Sequence, residues 1–137
     1  MMAGMDASRS SRATLVAFAF CGVTGAASVI LGALAAHALS GPSAQNAATA
    51  SQYALFHAVA LMVTALAADR VTGIARKLMM TAEIFFAAGI ILFSGGLAAS
   101  AWGMPTGTAP WGGMALIAAW LAVAAGAAMA LMPAKKN

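Results

Sequence analysis

The stretch Ala13 to Ala68 reads ATLVAFAFCGVTGAASVILGALAAHALSGPSAQNAATASQYALFHAVALMVTALAA, 56 residues without one charged side chain. About 20 helical residues cross the hydrocarbon layer of a bilayer, so this run is too long for one crossing and long enough for two joined by a turn. The turn is legible at Ser40-Gly41-Pro42-Ser43-Ala44-Gln45-Asn46, where turn formers and amides gather. A second uncharged run, Ile84 to Ala134, repeats the plan, with its turn across Gly103-Met104-Pro105-Thr106-Gly107-Thr108-Ala109-Pro110. All four prolines fall in these breaks or at the end of the last span, where a missing N–H leaves no hole in a helix. The spacing predicts helices over 13–39, 50–68, 76–102 and 111–132, within a single four-helix transmembrane domain covering 1–137 and preceded by a short tail, 1–12.

Composition agrees. Of 137 residues, 63% are hydrophobic and 7% charged, against about 25% charged in an ordinary soluble domain. These figures exclude a soluble globule, a disordered chain and a nucleic-acid module, and one cysteine, Cys21, excludes a disulfide scaffold. The expected fold is an all-α membrane protein, a four-transmembrane-helix bundle built as two helical hairpins. The first span is longer than the 7–15 apolar residues of a cleaved signal peptide and reads as a retained signal-anchor.

Charge sets the expected orientation. Arg9, Arg12, Arg70, Arg76, Lys77, Lys135 and Lys136 all fall on the side shared by the two termini and the central loop, and no basic residue falls on the other side. Lysine and arginine near span ends are retained in the cytoplasm, so both termini are expected there, with the basic groups against the anionic inner leaflet of a bacterial inner membrane. Tyr53, Trp102 and Trp111 then mark the outer interface.

Leucine gains little by leaving lipid, so membrane helices associate through small residues and polar contacts. Gly32 lies in a stripe with Ser28 and Ala36, Gly95 in one with Ala99 and Gly103, and Gly126 in one with Ala118, Ala122 and Ala130. These three glycines are the expected packing positions. The segment Gly32–Leu39 also resembles Gly95–Trp102, each ending an outward-going helix, as in a chain built from two parallel hairpins.

An ionisable group inside a span is a functional candidate by default. His37, His57 and Glu83 qualify. His57 is about 18 Å from the inner boundary at 1.5 Å per residue, and His37 ends the first helix. With Gln52 and Tyr53 they form a candidate outer-leaflet polar cluster suited to relaying a proton or binding a lipid or quinone headgroup. The plainer reading is that each neutral imidazole bonds a neighbouring hydroxyl or carbonyl. Two histidines fall short of the three or four ligands zinc takes, so no metal and no cofactor is expected. Glu83, the intramembrane acid, is expected near the inner face, paired with or snorkelling toward Arg76. Trp120 reads as a core packer whose indole N–H seeks an acceptor. No HExxH, GxSxG, P-loop or GxGxxG motif occurs in its required context, so no catalytic residue is assigned and the chain is not expected to be an enzyme.

The segments Gly32-Ala33, Ala36-His37-Ala38-Leu39, Tyr53-Ala54-Leu55-Phe56-His57-Ala58, Leu92-Phe93-Ser94-Gly95 and Pro110-Trp111-Gly112-Gly113, with Trp120 beyond, resemble the YgdD-like family of small four-helix inner-membrane proteins of unknown function, which has relatives in animal mitochondria. Ala54 stands where that pattern has glutamine and Gly96 where a second serine is common. The resemblance implies topology and location and carries no activity. The functional expectation is therefore a non-enzymatic accessory or structural component that joins other membrane proteins or itself. Transport or proton relay, or headgroup binding by the histidines, is the alternative.

Overall fold

A computed structural model describes residues 2–132, with side chains from 12 onward. Arg9, Lys135 and Lys136, expected at the inner leaflet, lie outside the described side chains. The elements are α1 (Met2–His37), α2 (Gly41–Ala68), α3 (Gly73–Gly89), a π-helical turn (Ile90–Ser94), α4 (Gly95–Ala101) and α5 (Ala109–Leu131). The third crossing is continuous from Gly73 to Ala101, and all four crossings are long and apolar enough to span a membrane. The fold is the expected all-α, four-span arrangement, with no strand among the described residues.

The first turn is tighter than the sequence suggested. The helix expected to start at 50 starts at Gly41, because Pro42 occupies its first turn, where the missing N–H is unused and the fixed φ suits a helix. Pro110 does the same for α5. At the end of α4 the chain reverses through Gly103 at φ +75, with the N–H groups of Gly103 and Met104 donating to the carbonyls of Ser100 and Ala99. This closing geometry requires a left-handed residue, which glycine supplies without a Cβ clash.

Burial is inverted relative to a soluble bundle. Ala47, Ala50, Ala58, Ala65, Ala82 and Ala119 are buried, whereas Val23, Ile30, Ile84, Ile91, Ile117 and Leu121 face outward. Small residues inside and branched aliphatics outside suit a solvent of acyl chains, in which only close packing distinguishes helix from lipid. Each helix packs on its neighbours in sequence: α1 on α2, α2 on the third crossing, and the third crossing on α5.

Polar contacts and glycines fix these pairs. Ser51 Oγ donates to the Ser28 carbonyl at 2.6 Å, and Cys21 Sγ to the Ala58 carbonyl at 3.1 Å. Gly32 faces Ser51, and a Cβ there would lie 3.0 Å from its Oγ. Between α3 and α5, Gly89 meets Leu116, Gly112 lies against the backbone of Phe93, and Gly126 lies against Met79, Ala75 and Leu78. Gly95, expected to pack, faces open space; its neighbour Gly96 takes the close approach, to Thr106 and Thr108. The π turn shifts the helical register just before Gly95, and the helix ends at Ala101, so Gly103, the last member of the stripe drawn through Gly95 and Ala99, lies in the following turn.

The same turn reorganises hydrogen bonding. Ser28, Thr64, Thr81 and Ser100 each bond the carbonyl four residues back, at 2.8 to 3.0 Å. Ser94, inside the π turn, is 5% exposed and its Oγ has no partner. Thr108 Oγ1 crosses from the loop before α5 to donate to the Leu92 carbonyl at 2.8 Å, supplying a donor where the regular ladder is interrupted.

Candidate functional site

Helix α2 carries Tyr53, Phe56 and His57 within little more than one turn, so the three side chains share one side of the helix. That side meets Phe86 of α3, Phe93 of the π turn and Trp120 of α5. The His57 ring is 6% exposed. It stacks on Tyr53 at 5.6 Å between centroids, meets Phe56 at 5.7 Å and Phe86 at 5.9 Å, and lies edge-on to Trp120 at 6.3 Å. Phe86 and Trp120 form an edge-to-face pair at 5.2 Å, and Tyr53 leans on Phe93 at 4.7 Å. Rings at these separations gain from their quadrupoles as well as from packing, and together they hold the imidazole on four sides.

One hydrogen bond sets the polarity of that imidazole. Nδ1 lies 2.8 Å from the Tyr53 carbonyl oxygen. A carbonyl only accepts, so Nδ1 carries the proton, and in the neutral ring Nε2 presents a lone pair. No protein group bonds Nε2 among the described residues.

The ring opens sideways. A recess of about 390 Å³ is lined by Gln52, Tyr53, Phe56 and His57. It shares Gln52 and Phe56 with a larger groove of about 660 Å³ that runs between α2 and α5 past Val59, Val63, Trp120 and Val123. The groove exists because α2 and α5 both pack chiefly on the third crossing and meet each other mainly where Trp120 reaches Phe56 and His57. Trp120, expected in the core, is 43% exposed and forms part of its wall. The arrangement is amphipathic: amide, phenol and imidazole at one end, aliphatic side chains along the rest.

The other sequence candidates lie elsewhere. His37 is the exposed last residue of α1. Because α2 begins at Gly41, His57 is roughly 24 Å further along it at 1.5 Å per residue, and the two histidines do not meet. The cluster reduces to His57, Tyr53 and Gln52. Glu83 is half-buried and within electrostatic reach of Asp69 and Arg76. With α3 starting at Gly73 instead of 76, it lies about 15 Å along the helix, deeper than expected. Asp69 accepts a hydrogen bond from Thr14 Oγ1 at 2.6 Å, which ties α1 to the α2–α3 turn. No group of three metal-ligating side chains occurs among the described residues.

Sequence reasoning named Gln52, Tyr53 and His57 of the site, did not assign Phe56 to it, and missed Phe86 and Phe93. The available signal was depth: each lies on the third crossing within reach of the level of His57, a match that only helix pairing reveals.

Comparison with known proteins places this site within a family. The model of a protein family of unknown function, DUF423, matches residues 31–118. The chain belongs to this family. The match takes in Gln52, Tyr53, Phe56, His57, Phe86 and Phe93 and stops short of Trp120. A relative in Bacillus subtilis (strain 168), UPF0382 membrane protein YwdK, is 35% identical over 100 residues, covering 68% of this chain and 80% of its own length. No solved structure matches. With four spans and this membership, the chain is a multi-pass membrane protein of an uncharacterised family. That agrees with the kind of family the motifs resembled, although neither comparison carries the YgdD-like name.

Proposed function

We propose that this protein is a non-enzymatic component of the bacterial inner membrane, both termini cytoplasmic, that takes up one amphipathic membrane molecule sideways through the groove between α2 and α5. The observation that carries the reading is the buried His57 ring at the polar end of an otherwise aliphatic groove. A polar side chain in hydrocarbon is costly unless it is paired. Here one ring nitrogen is paired within the helix, and the other has no partner among the described residues and is left for a ligand in the recess that His57 lines. Ligand sites of this kind are mostly apolar concavities with a few placed polar groups, which describes Gln52, Tyr53 and His57 beside Val59, Val63 and Val123.

Purification in polymer-bounded native discs, followed by solvent extraction and mass spectrometry, tests this. The wild type carries an amphipathic compound enriched over the surrounding lipid, and Ala60→Trp, which fills the groove wall, loses it. An identical lipid complement in both proteins would sink the reading.

A second reading, association with another membrane protein or a second copy, is favoured by α1. This helix packs mainly on α2 and leaves Val16, Val23, Val29 and Ile30 exposed, with open space beside Gly22. It requires a particle larger than one chain in a native mass measurement.

A further inference from the structure

We infer that the molecule held in this groove presents a hydrogen-bond donor, an alcohol or phenol head on an apolar tail, and that His57 Nε2 receives its proton-bearing oxygen. The inference deepens the proposed function and rests on the groove being occupied.

The direction of the bond follows from local geometry. The Tyr53 carbonyl, one helical turn before His57, holds Nδ1–H at 2.8 Å, so the nitrogen left unbonded in the neutral ring, beside the recess that His57 lines, is an acceptor. A head that only accepts, such as an ether, an ester or the carbonyl of an oxidised quinone, places lone pair against lone pair. A hydroxyl satisfies both partners. Phe56, Phe86 and Trp120 surround the imidazole with ring faces and edges, and neither the Trp120 indole N–H nor any other described group makes a hydrogen bond to the acceptor. Gln52, exposed at the rim, both donates and accepts, so it closes a second bond to a hydroxyl without changing the preference. Beyond the recess, Leu55, Val59, Val63 and Val123 offer no polar atom to a tail except the backbone, while Thr64 Oγ1 is already committed to the Ala60 carbonyl at 2.8 Å. Discrimination by an unpaired polar group is stronger than discrimination by shape, because the wrong ligand leaves the buried acceptor without its partner.

The test uses two probes with one tail, farnesol and farnesyl methyl ether, added to the full chain in lipid nanodiscs. Trp120 fluorescence reports binding in a protein carrying Trp102→Phe and Trp111→Phe, both residues being exposed at helix ends. Farnesol gives a saturable change, the ether binds about tenfold more weakly, the equivalent of one good hydrogen bond, and His57→Leu removes the difference between them. Equal, saturable binding of alcohol and ether overturns the donor-head inference and leaves the groove reading standing. Absence of saturation with either probe overturns the groove reading and the inference with it. The comparison of the two probes at the unaltered site does not depend on the His57 variant folding.

Discussion

Gly112→Val disrupts the α3–α5 pair and abolishes a folded, monodisperse protein. A Cβ at residue 112 would fall on the backbone nitrogen and Cα of Phe93, and backbone, unlike a side-chain tip, has no alternative rotamer. Inserting carbon into a filled core costs about 1 to 3 kcal/mol when side chains can shift. Here the helices themselves must separate at the π turn, so the expected loss is about 4 kcal/mol or more, the range reserved for a specific structural cause. Gly113→Ala is the control, since its Cβ would meet Phe93 ring carbons at 3.7 and 3.9 Å, ordinary contact distances. Denaturation in increasing SDS mole fraction, followed by helicity, distinguishes them: Gly113→Ala stays within about 0.5 kcal/mol of wild type. Equal stability of the two variants would show that α5 does not approach Phe93 as described.

Phe86→Ala produces the second large loss, about 3 kcal/mol, in the same titration. The Phe86 ring is 0% exposed and lies between His57 and Trp120. In lipid the transfer part of the usual penalty shrinks, because acyl chains are as apolar as the protein interior. What remains is lost dispersion and the cavity left behind, which keeps the value toward the lower end of the 3 to 5 kcal/mol seen for Phe→Ala. The vacancy also frees the imidazole to tilt, so the variant binds groove ligands poorly even where it folds. Phe56→Ala separates these effects, since Phe56 is 65% exposed yet touches the same imidazole. Its stability changes little while ligand binding falls. A Phe86→Ala protein as stable as wild type would remove Phe86 from the core.

The uncharged run Ala13 to Ala68 yields two crossings because length and hydropathy are local, additive quantities. Glycine spacing pointed to Gly32 and Gly126, both of which lie at close helix approaches. It also pointed to Gly95, which does not, because the π turn at Ile90–Ser94 rotates the following residues and leaves no mark in composition. Gly112 stood out only as part of the family-like segment Pro110-Trp111-Gly112-Gly113, and its packing role emerges only from the partner backbone. Similarly, Tyr53 and His57 were legible as an i, i+4 pair on one helix. Phe86 and Phe93 required knowing which helix faces which. Pairing His37 with His57 failed for a geometric reason: Pro42 starts a helix instead of prolonging a turn, and the added turns carry the two rings apart.

Residue-level photolabelling reads the lateral binding groove between α2 and α5 most directly. A diazirine-bearing farnesol, irradiated with the full chain in lipid nanodiscs and mapped by mass spectrometry, is predicted to label Val59, Val63 and Val123, with labelling competed by unmodified farnesol. Adducts spread evenly over lipid-facing positions such as Leu15, Val23, Ile30 and Ile117, with no competition, would contradict it.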